Sequence, residues 1–316
     1  MDPRTWNLWH GCHKCSIGCE NCYMFSNDKM YGVPGRSSIV ARTHDFNKPL
    51  KKDRKGNYKN PPGYSLTLNM TSDTFIEEAD EWRDEMWDII RKRPDIIFII
   101  LTKRVHRIME CLPDDWNDGY ENVDLSITVE NQQTFDERWP IYKEVPAKHK
   151  GLHLTPLLGP IDLSPALDSG QIEEVFLGGE CFSGRRPCHH EWIEDISRKC
   201  EEHRVNLFVD SVGATYVKDG EVIKLRSSAS QCAAAFDTGL SRFYGLPKHI
   251  LRDPKDGHIL SEDELFVPMY NIHKCARCTR APLCGGCDSC GYCKLPVDLV
   301  TLDELLKLPK NSEPHP

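Results

Sequence analysis

The chain has 316 residues, 39% hydrophobic and 28% charged, with a formal net charge of −8. That length accommodates one large domain or two ordinary ones. The acidic balance excludes a uniformly basic nucleic-acid-binding surface, and no apolar run reaches the roughly 18–20 residues that cross a bilayer.

The opening "MDPRTWNLWHG" lacks the basic-then-apolar layout of a secretory signal. The expectation is therefore a cytoplasmic protein with no membrane partner. In that compartment its 15 cysteines are metal ligands or catalytic groups rather than a disulfide framework. Four of them stand in "GCHKCSIGCENCY" (11–23). Next comes a basic stretch, "NKPLKKDRKGNYK" (47–59), with Lys48, Lys51, Lys52, Arg54, Lys55 and Lys59. It reads as a solvated loop or as a phosphate contact. Apolar β-rich runs follow at "YSLTLNM" (64–70), "DIIFIILT" (95–102), "VDLSITV" (123–129), "GLHLTPLL" (151–158), "EVFLGG" (174–179) and "NLFVDSV" (206–212). Most are continuous, as in parallel strands covered on both faces.

Amphipathic stretches separate them. In "FIEEADEWRDEMWDIIRKR" (75–93), Trp82, Met86, Ile89 and Ile90 share a stripe, and an acidic start and basic end suit the helix dipole. "HHEWIEDISRKCEEHR" (189–204) has the same character. Strand–helix alternation predicts an α/β fold, a partial (β/α) barrel of about six parallel strands over residues 1–215, with an open doubly wound sheet as the alternative. Residues 216–316 read as a C-terminal extension: a mixed stretch, a cysteine-rich metal-binding segment (275–293), a short helix "LDELLKL" (302–308) and a polar tail expected to be disordered.

In a barrel the chemistry sits at the C-terminal strand ends. Those ends carry Asn69, Thr71, Ser72 and Asp73; Thr102, Lys103 and Arg104; Glu130 and Asn131; Thr155; Gly178, Gly179 and Glu180; and Asp210. This polar, charged rim suits a polar ligand, although any one of these residues could serve as a cap or loop group.

Cys15-x3-Cys19-x2-Cys22, with Cys12 three residues earlier, places three thiolates within eight residues. They can hold three corners of a [4Fe–4S] cluster and leave one iron open to chelate S-adenosylmethionine. Cleavage of its C–S bond then gives a 5′-deoxyadenosyl radical. A four-cysteine zinc knot or a fully ligated electron-transfer cluster fits the spacing equally well. A second run, Cys275, Cys278, Cys284, Cys287, Cys290 and Cys293, packs six cysteines into 19 residues. Such a run needs metal to fold: an auxiliary [4Fe–4S] cluster drawing on four of the six, or a zinc ribbon. Cys111, Cys181, Cys188, Cys200 and Cys232 read as single thiols, with Cys181 and Cys188 flanking the "GGE" loop, and His10, His13, His189 and His190 read as structural.

"WNLWHGCHKCSIGCENCY" (6–23) resembles the opening of the radical SAM superfamily, and in particular a phage-associated branch similar to spore photoproduct lyase. "TSDTF" (71–75), "LTKR" (101–104), "VENQ" (129–132), "PLLGPIDL" (156–163), "LGGE" (177–180) and "RRPCHHEW" (185–192) follow in that branch's order. The resemblance covers about residues 6–215. It implies a partial barrel, a site-differentiated cluster and use of S-adenosylmethionine. It also implies Cys12, Cys19 and Cys22 as ligands, with Cys15 a spare thiol, whereas the superfamily's general C-x3-C-x2-C pattern selects Cys15, Cys19 and Cys22. The chain departs from the branch at Thr155, where a glutamate is usual, and near Asp210, where a lysine is usual. The leading C-x2-C-x5-C of the second run resembles the SPASM-type extension, which carries auxiliary clusters.

The expectation is thus a radical SAM enzyme with Asp73, Lys103 and Glu130 as catalytic groups, and Gly178, Gly179, Glu180 and Asn131 binding the cofactor. Its substrate is a small molecule or nucleotide, with nucleic acid as the alternative, and an external flavodoxin- or ferredoxin-like donor supplies electrons. The competing class is a zinc- or iron–sulfur-stabilised binding or electron-transfer protein.

Overall fold

The computed structural model describes residues 4–32, 35–181, 185–275, 278 and 298–308. Cys284, Cys287, Cys290 and Cys293 and the tail 309–316 lie outside the described residues. Among the described residues no helix is long and apolar enough to cross a membrane.

Seven parallel strands form the main sheet: β1 (Thr5–Trp6), β2 (Ser65–Leu68), β3 (Ile97–Thr102), β4 (Val123–Thr128), β5 (His149–Leu154), β6 (Glu174–Gly178) and β7 (Asn206–Ser211). Each pairs in parallel with the next in chain order. Every crossover therefore advances the same way, and the sheet curls into a half-barrel. A doubly wound sheet needs a reversal of strand order, and this order has none, so that alternative falls. The six runs expected from sequence all form strands, and β1 makes seven.

Alternation along β3 leaves Phe98, Ile100 and Thr102 fully buried, while Ile97, Ile99 and Leu101 stay half-buried on the open side. Helix α1 (Tyr23–Met30) follows the cysteine loop. Helix α2 (Asp80–Lys92) buries Met86, Trp87, Ile89 and Ile90, with acidic Asp80 and Glu81 at its start and Arg91 and Lys92 at its end. Trp82 is only partly buried and tilts onto Trp9, with ring centroids 6.2 Å apart. Helix α3 (Gln132–Tyr142) follows β4, and α4 (His190–His203) buries Ile193, Ile196 and Cys200.

Past β7 the chain adds α5 (Ser228–Asp237), which packs on β7 with Gln231 and Ala235 buried. A Ser/Ala-rich helix lacks the apolar stripe that marks an amphipathic one, and a capping box between Ser227 and Ser230 starts it. The chain then crosses the N-terminal ends of the strands. Arg252 N–H donates to Pro94 O (3.0 Å), Phe266 N–H donates to Pro62 O (2.7 Å), and Leu251 is buried. Beyond it, Tyr270–Asn271 pairs antiparallel with Leu299–Val300, and Tyr270, Cys275 and Leu305 form a small apolar cluster.

Candidate metal centre

The cysteine loop leaves β1 and is fastened to the loop after β2. Asn69 Oδ1 accepts from Leu8 N (2.9 Å) and Trp9 N (3.4 Å), Gly11 N donates to Thr71 O (3.1 Å), and Ser72 Oγ donates to Gly11 O. Gly11 turns at φ +99°, where a Cβ would lie 2.2 Å from Ile39 O, so only glycine can make this entry. Cys12 N donates to Ser37 O (2.8 Å). A turn at Ile17–Cys19 and the helix start at Cys22 then bring Cys12, Cys15, Cys19 and Cys22 over the C-terminal ends of the strands.

The thiols interact. Cys15 donates a hydrogen bond to Cys19, which holds Cys19 down at about 6, with help from the Lys103 ammonium; the same bond pushes Cys15 up. Burial pushes Cys12 up to about 11 against the opposing Arg104 guanidinium, whose Nη1 is 3.9 Å from its sulfur. Burial also raises Cys22, whose sulfur faces the N–H groups of Met24 and Phe25. No three of the loop's sulfurs come within 4.8 Å of one another. Lys103 and Arg104 stand beside the thiols, where they balance thiolate charge. Thiolates clustered beside cations suit either a zinc ion or an iron–sulfur cluster.

The acidic rim residues hold the loop in place. Asp73 accepts from Phe75 N (2.9 Å), Thr102 Oγ1 (2.7 Å) and Lys103 N (3.0 Å), and lies 3.3 Å from Arg104. It is a latch between the ends of β2 and β3. Glu130 is fully buried and accepts from Ser16 Oγ (2.7 Å) and Arg138 Nη1 (2.9 Å), with Lys103 Nζ at 3.4 Å. Arg138 Nη2 also donates to Ser16 Oγ (2.8 Å), closing a triangle beneath the loop. Glu180 accepts from Asn21 Nδ2 (3.2 and 3.3 Å) and from Arg186 N (2.9 Å) and Nε (3.2 Å). Arg186 further donates to Ile17 O (3.1 Å) and Glu20 (3.0 Å), while Arg185 donates to Asn21 Oδ1 (2.8 Å).

Three expected binding residues have other uses in this structure. Asn131 caps α3, accepting from Thr134 N (3.0 Å). Gly178 O accepts from Leu157 N (2.8 Å). A Cβ on Gly179 would meet Val212 O at 2.7 Å, so this glycine admits the chain leaving β7. Ser16 and Asn21 escaped the sequence reading because their partners lie more than 100 residues away, and Arg138 because its side chain joins Glu130 to Ser16 only in the fold. Of the second run, Cys275 is buried, and Cys278 lies near Cys232, whose thiol burial pushes up to about 11 with Cys278 and Cys181 adding to the effect.

The basic stretch is elsewhere. Lys52 lies over Tyr58 (4.6 Å) and, with Arg91, Lys92 and Arg252, lines a cleft of about 510 Å³ beside Pro94, at the opposite ends of the strands. It brings no phosphate contact to the cysteine loop. No curated protein and no solved structure matches the chain. A family model described as "Protein of unknown function (DUF5131)" matches residues 2–252, and the chain belongs to that family.

Proposed function

We propose that the protein is a radical SAM enzyme, and the observation that carries this reading is the four-cysteine loop seated over the C-terminal mouth of a half-barrel beside Lys103 and Arg104. Cys12, Cys19 and Cys22 would hold a [4Fe–4S] cluster, with Cys15 beside it. The bound cluster would supply the electron, delivered from an external donor, that cleaves S-adenosylmethionine to methionine and a hydrogen-abstracting 5′-deoxyadenosyl radical.

The chain's own residues prepare the mouth. Lys103 and Arg104 balance the thiolate charge, and Glu130 with Arg138 fixes the loop from below. Glu180 fixes it from the side through Asn21 and Arg186. On the open face of the sheet, His153 stacks on Phe176, with centroids 5.1 Å apart and planes at 21°. A floor with one imidazole, the Phe176 ring and the hydroxyls of Ser126 and Thr128 suits a flat small molecule or nucleotide better than a DNA backbone. The second cysteine run would hold an auxiliary cluster.

The test is anaerobic purification with iron, sulfide and zinc analysis, then reduction with S-adenosylmethionine present and measurement of 5′-deoxyadenosine. Iron in multiples of about four per chain, with 5′-deoxyadenosine formed, supports the reading. Zinc without cleavage overturns it. Cys12→Ser should abolish cleavage and Cys15→Ser should retain it.

A further inference from the structure

At the foot of the same sheet, Asp124 on β4 is the direct register neighbour of His149 on β5. His249, from the stretch after α5, joins them. One carboxylate oxygen of Asp124 and one ring nitrogen of each histidine lie within 4.8 Å of one another. His249 Nε2 is 2.6 Å from Asp124 Oδ1, and the two imidazole centroids are 4.1 Å apart. The side chains of Asp124, His149 and His249 are 13%, 8% and 6% exposed.

His149 carries the decisive detail. Its Nδ1 is 2.9 Å from Glu173 Oε2, a carboxylate that can only accept, so Nδ1 keeps the proton. In the neutral ring Nε2 then carries the lone pair, and it is buried with no protein partner among the described residues. A carboxylate on one imidazole nitrogen and a free lone pair on the other is the arrangement of a metal-ligating histidine with its outer partner. Charge points the same way. Asp124 and Glu173 lie here, and among the described residues neither forms an ion pair with Lys or Arg.

We propose that Asp124, His149 and His249 form a sulfur-free metal site for a divalent transition ion of the zinc class. Two imidazoles and one carboxylate are borderline donors that suit such an ion better than calcium or magnesium. The site lies at the N-terminal ends of the strands, where a barrel's residues serve stability rather than chemistry. The ion would clip residues 249–252 across the foot of the half-barrel, where Leu251 is already buried and Arg252 N reaches Pro94 O. The site owes nothing to the cysteine loop and stands whatever that loop binds.

The experiment strips the full-length chain of metal under argon and titrates it with Co²⁺. The expected result is one equivalent of cobalt with d–d bands but no thiolate charge-transfer band, separate from any sulfur-bound cobalt. His249→Gln and Asp124→Asn should each remove that component and leave the thiolate bands unchanged. Glu173→Gln should weaken it about 10–100-fold, as loss of an outer partner does. Should a variant fail to fold, the wild-type cobalt form decides, since its NMR spectrum must show strongly shifted imidazole protons from two histidines. No thiolate-free component in the wild type, no such shifted protons, or a component that persists in His249→Gln overturns the proposal.

Discussion

Gly18 rests so closely on Glu130 that a Cβ on the glycine would lie 2.5 Å from the glutamate's Oε1 and 2.7 Å from its Cγ. The contact joins the cysteine loop to the end of β4. Glu130 has no room to retreat, being fully buried and held by Ser16 and Arg138. Gly18→Ala should therefore lift the loop. The expected loss is about 1–3 kcal/mol, as for other overpacked buried sites, together with reduced iron uptake on reconstitution. Urea unfolding and iron analysis read both, and unchanged values in the variant would refute the contact's importance.

Glu130 also tests whether the loop's foundation is electrostatic. Replacing it by Gln keeps its shape and its contact with Ser16 but leaves Arg138 facing a neutral amide. Breaking a buried pair by removing one charge costs about 3–5 kcal/mol, and the amide's NH2 also replaces one of the two accepting oxygens. The loss should appear in metal-free protein as well, which separates a foundation from a group needed only in turnover. Stability unchanged in the metal-free chain would count against this role.

Cys19 should be the most reactive thiol of the metal-free loop. The hydrogen bond from Cys15 lowers its pKa, whereas burial pushes Cys12 up to about 11, so Cys12 is ionised to roughly one part in a thousand or less at pH 7.5. Alkylation followed by peptide mass spectrometry from pH 5 to 9 should show Cys19 labelled at lower pH than the other loop thiols and Cys12 hardly labelled. Lys103→Met removes a cation that favours the thiolate, so the Cys19 profile should move to higher pH. A profile that stays put would show that the ammonium is not felt there.

Legibility in the sequence followed the range of the physics. Parallel strands such as 95–102 were readable because burial writes itself into consecutive residues. Thr5–Trp6 was not, since two residues carry no period, and α5 was hidden by its small side chains. The cysteine spacing and the rim residues Asp73, Lys103, Glu130 and Glu180 were visible as strand-end chemistry. Their employment was not, because it depends on partners such as Ser16 and Asn21 that only the fold supplies. The helix cap at Asn131 and the close approach of the chain to Gly179 likewise appear only in three dimensions. Asp124, His149 and His249 carry no motif at all; parallel register and the returning chain bring them together.

His153 offers a test of the open face through pH. Burial, aided by the Lys103 ammonium, lowers it from 6.5 to about 4, so the folded chain keeps it neutral where the unfolded chain would protonate it. Between pH 6.5 and 4 the unfolded state binds the extra proton, so stability must fall as pH drops through that window and level off below it. The full shift corresponds to about 3 kcal/mol at 1.36 kcal/mol per unit. Because the ring is partly open to solvent, about 2 kcal/mol is expected. His153→Phe preserves a ring against Phe176 and removes the titration. The stability difference between variant and wild type, from urea unfolding at pH 7 and pH 4, should shift toward the variant by about that 2 kcal/mol. Lys103→Met should shrink the wild-type slope, because without the ammonium the imidazole protonates more easily in the folded chain. Parallel curves for all three proteins would mean that His153 is solvated like a surface histidine, and that the floor beneath the cysteine loop is open water rather than a binding surface.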